Sequence, residues 1–385
     1  MTWPIPSFAP VKRPEPIALR VWLPTLVAIA SGAVAAVLLL WPHGKPTNTV
    51  QFWGGLIGAP LVACALVFGP RLNRWERHQT NAEETEREHE RLRGMWRDWS
   101  RRHLRVVDAA AFVAATNEID KFGEAKIDLP SNKDRIIEFR WAMDLSAADR
   151  RRRLLQLVAE RFSDALLTRS EIFISLMLDD VSLKQAESVR QQAKNVFGEL
   201  VPGVVFNVEA QSATDGAPWI TERVDRIETT TRLVIAAQFW ADKVDRHSFS
   251  EGAAAFLIEP GASAAGSIFR PMTSARNTLE ADLEQIKQYQ APAVPLTQVW
   301  FAGCEDGEST AIRSALTADP KKSVVERLLD GLLGVPGPVS GWIALAIAME
   351  AMRGGGPQLV AWREPESESL HLCTVSPLPQ KEAPV

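Results

Sequence analysis

Apolar and polar positions divide the chain into three stretches that alternate in different ways. In the first they do not alternate at all. Between Arg20 and Lys45 no side chain is charged, and Val21 to Trp41 reads VWLPTLVAIASGAVAAVLLLW. A helix of that length, at ~1.5 Å per residue, crosses the ~30 Å hydrocarbon core of a bilayer. A second charge-free run extends from Pro46 to Pro70, and its residues 51–70 supply a second span. Trp22, Trp41 and Trp53 fall where interfacial aromatic rings concentrate. A cleaved leader is disfavoured, because the first run is long and no small-residue cleavage site follows it. Lys12, Arg13 and Arg20 precede the first span and Arg71, Arg74 and Arg77 follow the second, whereas the loop at 42–50 carries only His43 and Lys45. This charge bias places residues 1–20 and everything after residue 70 in the cytoplasm and the loop in the periplasm of a bacterial-type inner membrane. Gly32 with Ala36, and Gly54 with Gly58, have the small-xxx-small spacing that lets two such helices approach closely.

The second stretch, residues 71–105, contains one Gly, no Pro, ten basic and seven acidic side chains, a composition that predicts a long solvated juxtamembrane helix. Along it Leu92, Trp96, Trp99, His103 and Val106 recur every three or four positions. Such a stripe packs on the following domain or on a partner helix.

From residue 106 onward helical and strand periods alternate. Ser146 with Asp149 forms a capping pair that opens a helix from Arg150 to about Leu167, with Leu154, Leu155, Val158 and Phe162 on one face. The run Arg150 to Arg153 reads as a solvated helix face. Continuous apolar segments at Glu171 to Leu178, Arg232 to Phe239 and Gly252 to Ile258 predict strands covered on both sides. Val204 to Val208, Thr297 to Ala302, Gln358 to Trp362 and Leu370 to Val375 add four more, and Gln185 to Leu200 adds a helix. Gln211 to Trp219 reads as a polar loop. Ser340 to Met352 is too short to span a bilayer and carries Glu350, so it predicts a buried core helix. Residues 106–385 therefore form a layered cytoplasmic α/β domain.

Composition narrows the partners. Of 385 residues 46% are hydrophobic and 23% charged, at a net charge of -4, which excludes a disordered tail and a strongly basic nucleic-acid binder. Residues 1–105 carry 14 basic and 8 acidic side chains, so the larger remainder is acidic and nucleic acid is not its partner. Cys64, Cys304 and Cys373 are too few and too scattered for a disulfide framework or a cysteine zinc site.

Ser250 to Glu259 (SEGAAAFLIE) resembles the ketosynthase passage in which E-G-A leads into an apolar strand ending in Glu. Gly334 to Gly354 (GVPGPVSGWIALAIAMEAMRG) is similar to the ketosynthase G-H-x-x-G-A-A-G segment and the long buried helix behind it. The resemblance covers residues 230 to 375 and implies a thiolase-like (ketosynthase-like) layered fold following the N-terminal transmembrane hairpin. It does not imply the chemistry. A condensing enzyme needs a cysteine thiolate at a strand-to-helix elbow and two assisting histidines. No cysteine lies between Cys64 and Cys304, Gly334 is followed by Val335 where the family has G-H, and Ala302 to Ser309 (AGCEDGES) stands where the family has H-G-T-G-T.

The remaining reactive groups are ordinary. Glu305, Asp306 and Glu308 would raise the Cys304 pKa rather than lower it, and His247, beside Asp245 and Arg246, reads as a surface loop residue. Asp179 and Asp180 end a strand without a nearby His or Cys, so no metal ligands, catalytic residues or cofactor are assigned. Neither a phosphate-binding G-x-x-x-x-G-K-[ST] loop nor a G-x-S-x-G elbow occurs. The layout of short N-terminus, membrane hairpin, Trp- and Arg-rich stalk and cytoplasmic domain resembles the adaptors that load lipase effectors onto type VI secretion systems. It implies membrane lipid and a secretion component or effector as partners, leaves homodimerisation open, and makes the protein a pseudoenzyme. The alternative is a membrane-bound acyl-processing enzyme using Cys304.

Overall fold

The computed structural model describes the chain except residues 1–2, 43, 117, 125–130, 227–228, 241, 243–246, 262–263, 291–295, 317–323, 353–354 and 378–385. His43, Asp245, Arg246 and Gly354 of the sequence reading therefore lie outside the described residues. Contacts divide the chain into two compact units, residues 5–95 and residues 96 onward together with Trp3 and Pro4.

In the first unit, helix α1 (Leu19–Leu40) runs beside the start of α2 (Val50–Ser100). Both are long and apolar enough to cross a membrane. Trp22 meets Phe68 edge-on at 5.3 Å, the Cys64 thiol reaches the Leu26 carbonyl at 3.6 Å, and Trp41 meets Phe52 at 5.0 Å, which makes the pair an antiparallel hairpin. Its closest glycine is not one of the expected pairs. A Cβ on Gly55 would stand 3.8 Å from Val37, whereas one on Gly32, Gly54 or Gly58 would meet nothing within 4 Å. Pro70 does not break α2, which carries the apolar run straight into the charged one. The segment before α1 lies along that charged part: Glu15 accepts from the Trp75 indole at 3.0 Å, Arg13 pairs with Glu86 at 2.5 Å, and Phe8 packs on His89 with Arg93 over its ring.

In the second unit, α2 ends at Ser100 and β1 (His103–Val113) begins, so the helix expected through residue 105 stops short. Pairing decides it, because His103 to Val106 form a ladder with a neighbouring strand. The aromatic stripe docks on its own domain: Trp3 meets Trp99 edge-on at 5.8 Å, and the Arg270 guanidinium stacks 4.0 Å over Trp99 while pairing with Asp225.

The following elements are α3 (Ala147–Leu167), β2 (Glu171–Leu178), α4 (Asp180–Leu183), α5 (Ala186–Leu200), β3 (Val205–Ser212), α6 (Gly216–Asp225), β4 (Arg232–Gln238) and β5 (Gly252–Ile258). Then come β6 (Gly266–Phe269), β7 (Met272–Ser274), α7 (Leu279–Gln285), β8 (Gln298–Ala302), α8 (Asp306–Leu316), β9 (Val325–Leu328), α9 (Leu329–Leu333), α10 (Ser340–Ala351), β10 (Gln358–Arg363) and β11 (Leu370–Ser376). The strands join in the order β3-β2-β4-β5-β1-β6-β11-β10-β8-β9, with β7 on β11. Setting β7 aside, each half has the same order when its strands are numbered along the chain: third, second, fourth, fifth, first. Directions match as well. In both halves the second strand is parallel to the third and fourth, and the fifth is antiparallel to the fourth and first. The domain is thus a duplicated mixed α/β unit, with α6 and α10 in equivalent places.

The apolar strands predicted from continuous runs are covered on both faces. Ala254 and Phe256 of β5 enter one core with α10, while Ala253, Ala255 and Leu257 enter the other with α3 and α5. Ser146 caps α3 by accepting from the Asp149 amide at 3.2 Å. Residues 211–219, read as a loop, instead finish β3 and start α6, where Pro218 is tolerated in the first turn.

Candidate functional site

Three turns converge between the halves. Gly303 follows β8 with φ at +66°, and Gly334 precedes α10 with φ at +88°. A Cβ at 334 would lie 2.3 Å from the Arg135 carbonyl oxygen, so only glycine fits both the dihedral and the space. The third turn enters β5 at Ser250, whose amide donates to the Val335 carbonyl at 2.9 Å. Asp330 ties two of them together by accepting from the Gly303 amide at 3.0 Å, and burial raises its pKa to about 6 against that hydrogen bond.

Side chains occupy the space between these turns. Gln238, at the end of β4, donates to the Ser250 carbonyl at 2.7 Å and accepts from the Val339 amide at 2.8 Å. The Ser250 hydroxyl is engaged with the Arg135 carbonyl and the Ile137 amide. The space left among Gln238, Ser250, Asp330, Gly334, Ser340 and Ile343 is about 30 Å³. That is room for water.

The strand-to-helix elbows ahead of residue 250 carry no thiol. Asp179, between β2 and α4, accepts from the Val181 and Ser182 amides and from the Ser182 hydroxyl, which makes it a helix cap. At the β3 to α6 elbow the hydroxyls of Ser212 and Thr214 bond each other at 2.8 Å. Among the described residues no group of three or more His, Cys, Asp or Glu is placed to hold a metal.

Cys304 lies just past β8, partly buried, with its thiol donating to the Ala361 carbonyl at 3.4 Å. Burial, then Glu308 and Asp330, push its pKa far above neutrality. Glu305, expected to act on this thiol, is drawn off by Arg363 at 2.6 Å. Cys373 is fully buried, and burial likewise raises its pKa. His247 stacks flat on Trp240 at 4.0 Å.

Two features escaped the sequence reading. The Arg150 to Arg153 run is not uniformly solvated: Arg150 turns inward to the fully buried Glu251 at 2.5 Å, and Arg151 is buried against Gln185 at 3.0 Å. Glu251 also accepts from the Phe139 and Trp240 amides, both at 3.1 Å, so its three donors organise the entry to β5. His371, on β11, is held neutral by burial, which lowers its pKa to about 4. Its Nδ1 meets the Thr273 hydroxyl at 3.1 Å, and Glu364 stands 3.7 Å from its Nε2. Burial raises the Glu364 pKa to about 7 despite a bond from the Trp362 indole.

No protein-family model matches the chain, and no curated protein matches it. Among solved structures it is similar to an oxazolomycin ketosynthase domain from Streptomyces albus, at 11% identity over 74% of this chain and 97% of that one, with a TM-score of 0.46. It is also similar to an OleA variant from Xanthomonas campestris, at 15% identity over 72% and 98%, with a TM-score of 0.45. The ishigamide ketosynthase/chain length factor matches at 12% identity over 72% and 100%, also at 0.45.

Proposed function

We propose that this protein is a membrane-anchored pseudoenzyme of thiolase-like descent whose domain binds another protein at the inner surface of the membrane. The observation that carries the reading is the closure of the site. Gln238 bridges β4, Ser250 and the entry to α10, the space left is about 30 Å³, and the elbows that would hold a nucleophile carry Asp179 and the Ser212–Thr214 pair. Cys304 does not rescue a thiol chemistry, because burial, and after it Glu308 and Asp330, keep the proton on sulfur. In the membrane, Leu19–Leu40 and the first twenty residues of α2 form the two spans, with both chain ends in the cytoplasm. The anchor then concentrates the bound partner at the bilayer. The occupant is a type VI secretion component or a lipase effector awaiting loading.

Two measurements test this. Incubated with acyl thioesters, the purified protein should carry no covalent acyl group by intact-mass spectrometry; an acylated species overturns the reading. Detergent-solubilised protein should co-purify a secretion component or a lipase in stoichiometric amount, and recovery of neither under several conditions overturns the adaptor role. Partition of the full chain into the soluble fraction would remove the anchor.

A further inference from the structure

The edge of β1 is paired on both sides for only part of its length. Val106 to Val113 pair with β5, but on the other side β6 covers only His103 to Val106. Beyond that point the strand faces a groove of about 570 Å³. The Ala109 amide, on the open side, is satisfied by the neighbouring Asp108 carboxylate at 3.0 Å. Alternation then puts the backbone groups of Ala111 and Val113 on that same side. Both residues are nearly inaccessible, and buried backbone groups require partners.

The groove walls show what could supply them. Phe139 and Trp141, stacked at 4.8 Å, and Leu157 form one wall, which Arg140 and Arg161 also line. Arg161 holds Asp108 at 2.7 Å, while Arg140 is exposed and makes no ion pair with a described residue. Ile119 and Glu350 line the opposite wall. The strand itself reads Ala109-Ala110-Ala111 and, past Val113, Ala114-Ala115, so small side chains let another backbone approach.

We propose that the open edge of β1 receives an extended segment of a partner protein as an added strand, with carboxylates on the face that meets Arg140 and Arg161 and small apolar side chains on the face that meets Ile119. Main-chain bonds supply affinity and the alternating walls supply selection. This inference rests on the protein-binding reading and names the surface.

The test uses full-length protein in detergent and two nine-residue probe peptides, one alternating valine with glutamate and the other alternating valine with lysine. Hydrogen exchange read by mass spectrometry with residue resolution should show fast amides at Ala111 and Val113 in the free protein and at least tenfold slowing of these two with the glutamate peptide, and little with the lysine peptide. Arg140→Glu should weaken the glutamate peptide about fivefold or more, as expected for reversing an exposed charge partner. Slow exchange in the free monomer means that the chain covers its own edge, and protection that rises only with protein concentration means a second copy does; either overturns the proposal. Equal binding of the two peptides, or protection elsewhere, overturns it too. A co-purified partner that binds wild type and Arg140→Glu equally, without protecting β1, refutes this surface and leaves the protein-binding reading intact; absence of any partner removes the reading itself.

Discussion

Replacing Arg150 with methionine tests whether the basic run on α3 is a solvated face or a structural bond. The Glu251 carboxylate is fully buried, and it accepts from Arg150 at 2.5 Å and from two backbone amides at 3.1 Å. Methionine preserves most of the arginine stem, so little packing is lost, but the carboxylate keeps only the two amides. Breaking one side of a buried ion pair costs about 3–5 kcal/mol. For a domain of this size each kcal/mol lowers Tm by about 2 °C, so the expected drop is roughly 6–10 °C. Arg153→Met is the control on the same helix. Arg153 is solvated, bonding Gln156 at 3.3 Å and approaching Glu160 at 3.8 Å. Its loss should cost within about 0.5 kcal/mol. Thermal melts followed by circular dichroism in one detergent compare the two directly. If Arg150→Met melts with Arg153→Met, the inward ion pair is refuted, and with it the idea that Glu251 organises the entry to β5.

Three further outcomes follow from the geometry. Cys304 and Cys373 should resist iodoacetamide at pH 8 in the folded protein and react in guanidinium, because burial keeps both thiols protonated; alkylation of native Cys304 at the rate of a free thiol would contradict this. Burial raises Glu364 to about 7, so the ionised form opposes folding by an amount that is absent below the ordinary carboxylate range and grows as pH rises through 7. Glu364→Gln should therefore raise Tm relative to wild type more at pH 8 than at pH 5, and a difference flat across that interval would refute the assignment. Gly334→Ala, forced into a positive φ against the Arg135 carbonyl, should lose about 1–3 kcal/mol in a chemical denaturation series, and an unchanged midpoint would show that the turn is not held as described.

Elements covered on both faces were the easiest to read. β2, β4, β5 and α10 announce themselves as apolar runs, since neither side of them meets water. The start of β1 was misread because His103 and Val106 also fit a helical spacing, and the bulge between Val106 and Asp108 breaks the strand alternation that would have revealed it. Residues 211–219 looked like a loop because their polar side chains hide a helix that buries Ala217, Trp219 and Ile220. That no cysteine lies between Cys64 and Cys304 is a matter of composition and is read directly. Long-range pairings were not legible: Gln238 bonds Val339 across 101 positions, and Arg150 bonds Glu251 across another 101, distances over which no local pattern carries information.

The duplication sets two helix ends in matching places. α6 and α10 hold equivalent places between third and fourth strands, and the amino ends of such helices offer free backbone N–H groups that suit an anionic ligand or intermediate. Here that ground is built over with aromatic rings. Trp219 and Trp342 meet at 5.7 Å, Phe256 adds a third ring at 5.8 Å, and a Cβ on Gly216 would come within 2.9 Å of the Trp342 indole nitrogen. The gap beside them, bounded by Trp362 and Glu364, is about 10 Å³. These rings and the Gln238 bridge pack the two halves together. The larger space lies at the edge of β1, lined in part by Arg140 and Arg161, in a groove of about 570 Å³, nearly twenty times the space among Gln238, Ser250 and Gly334.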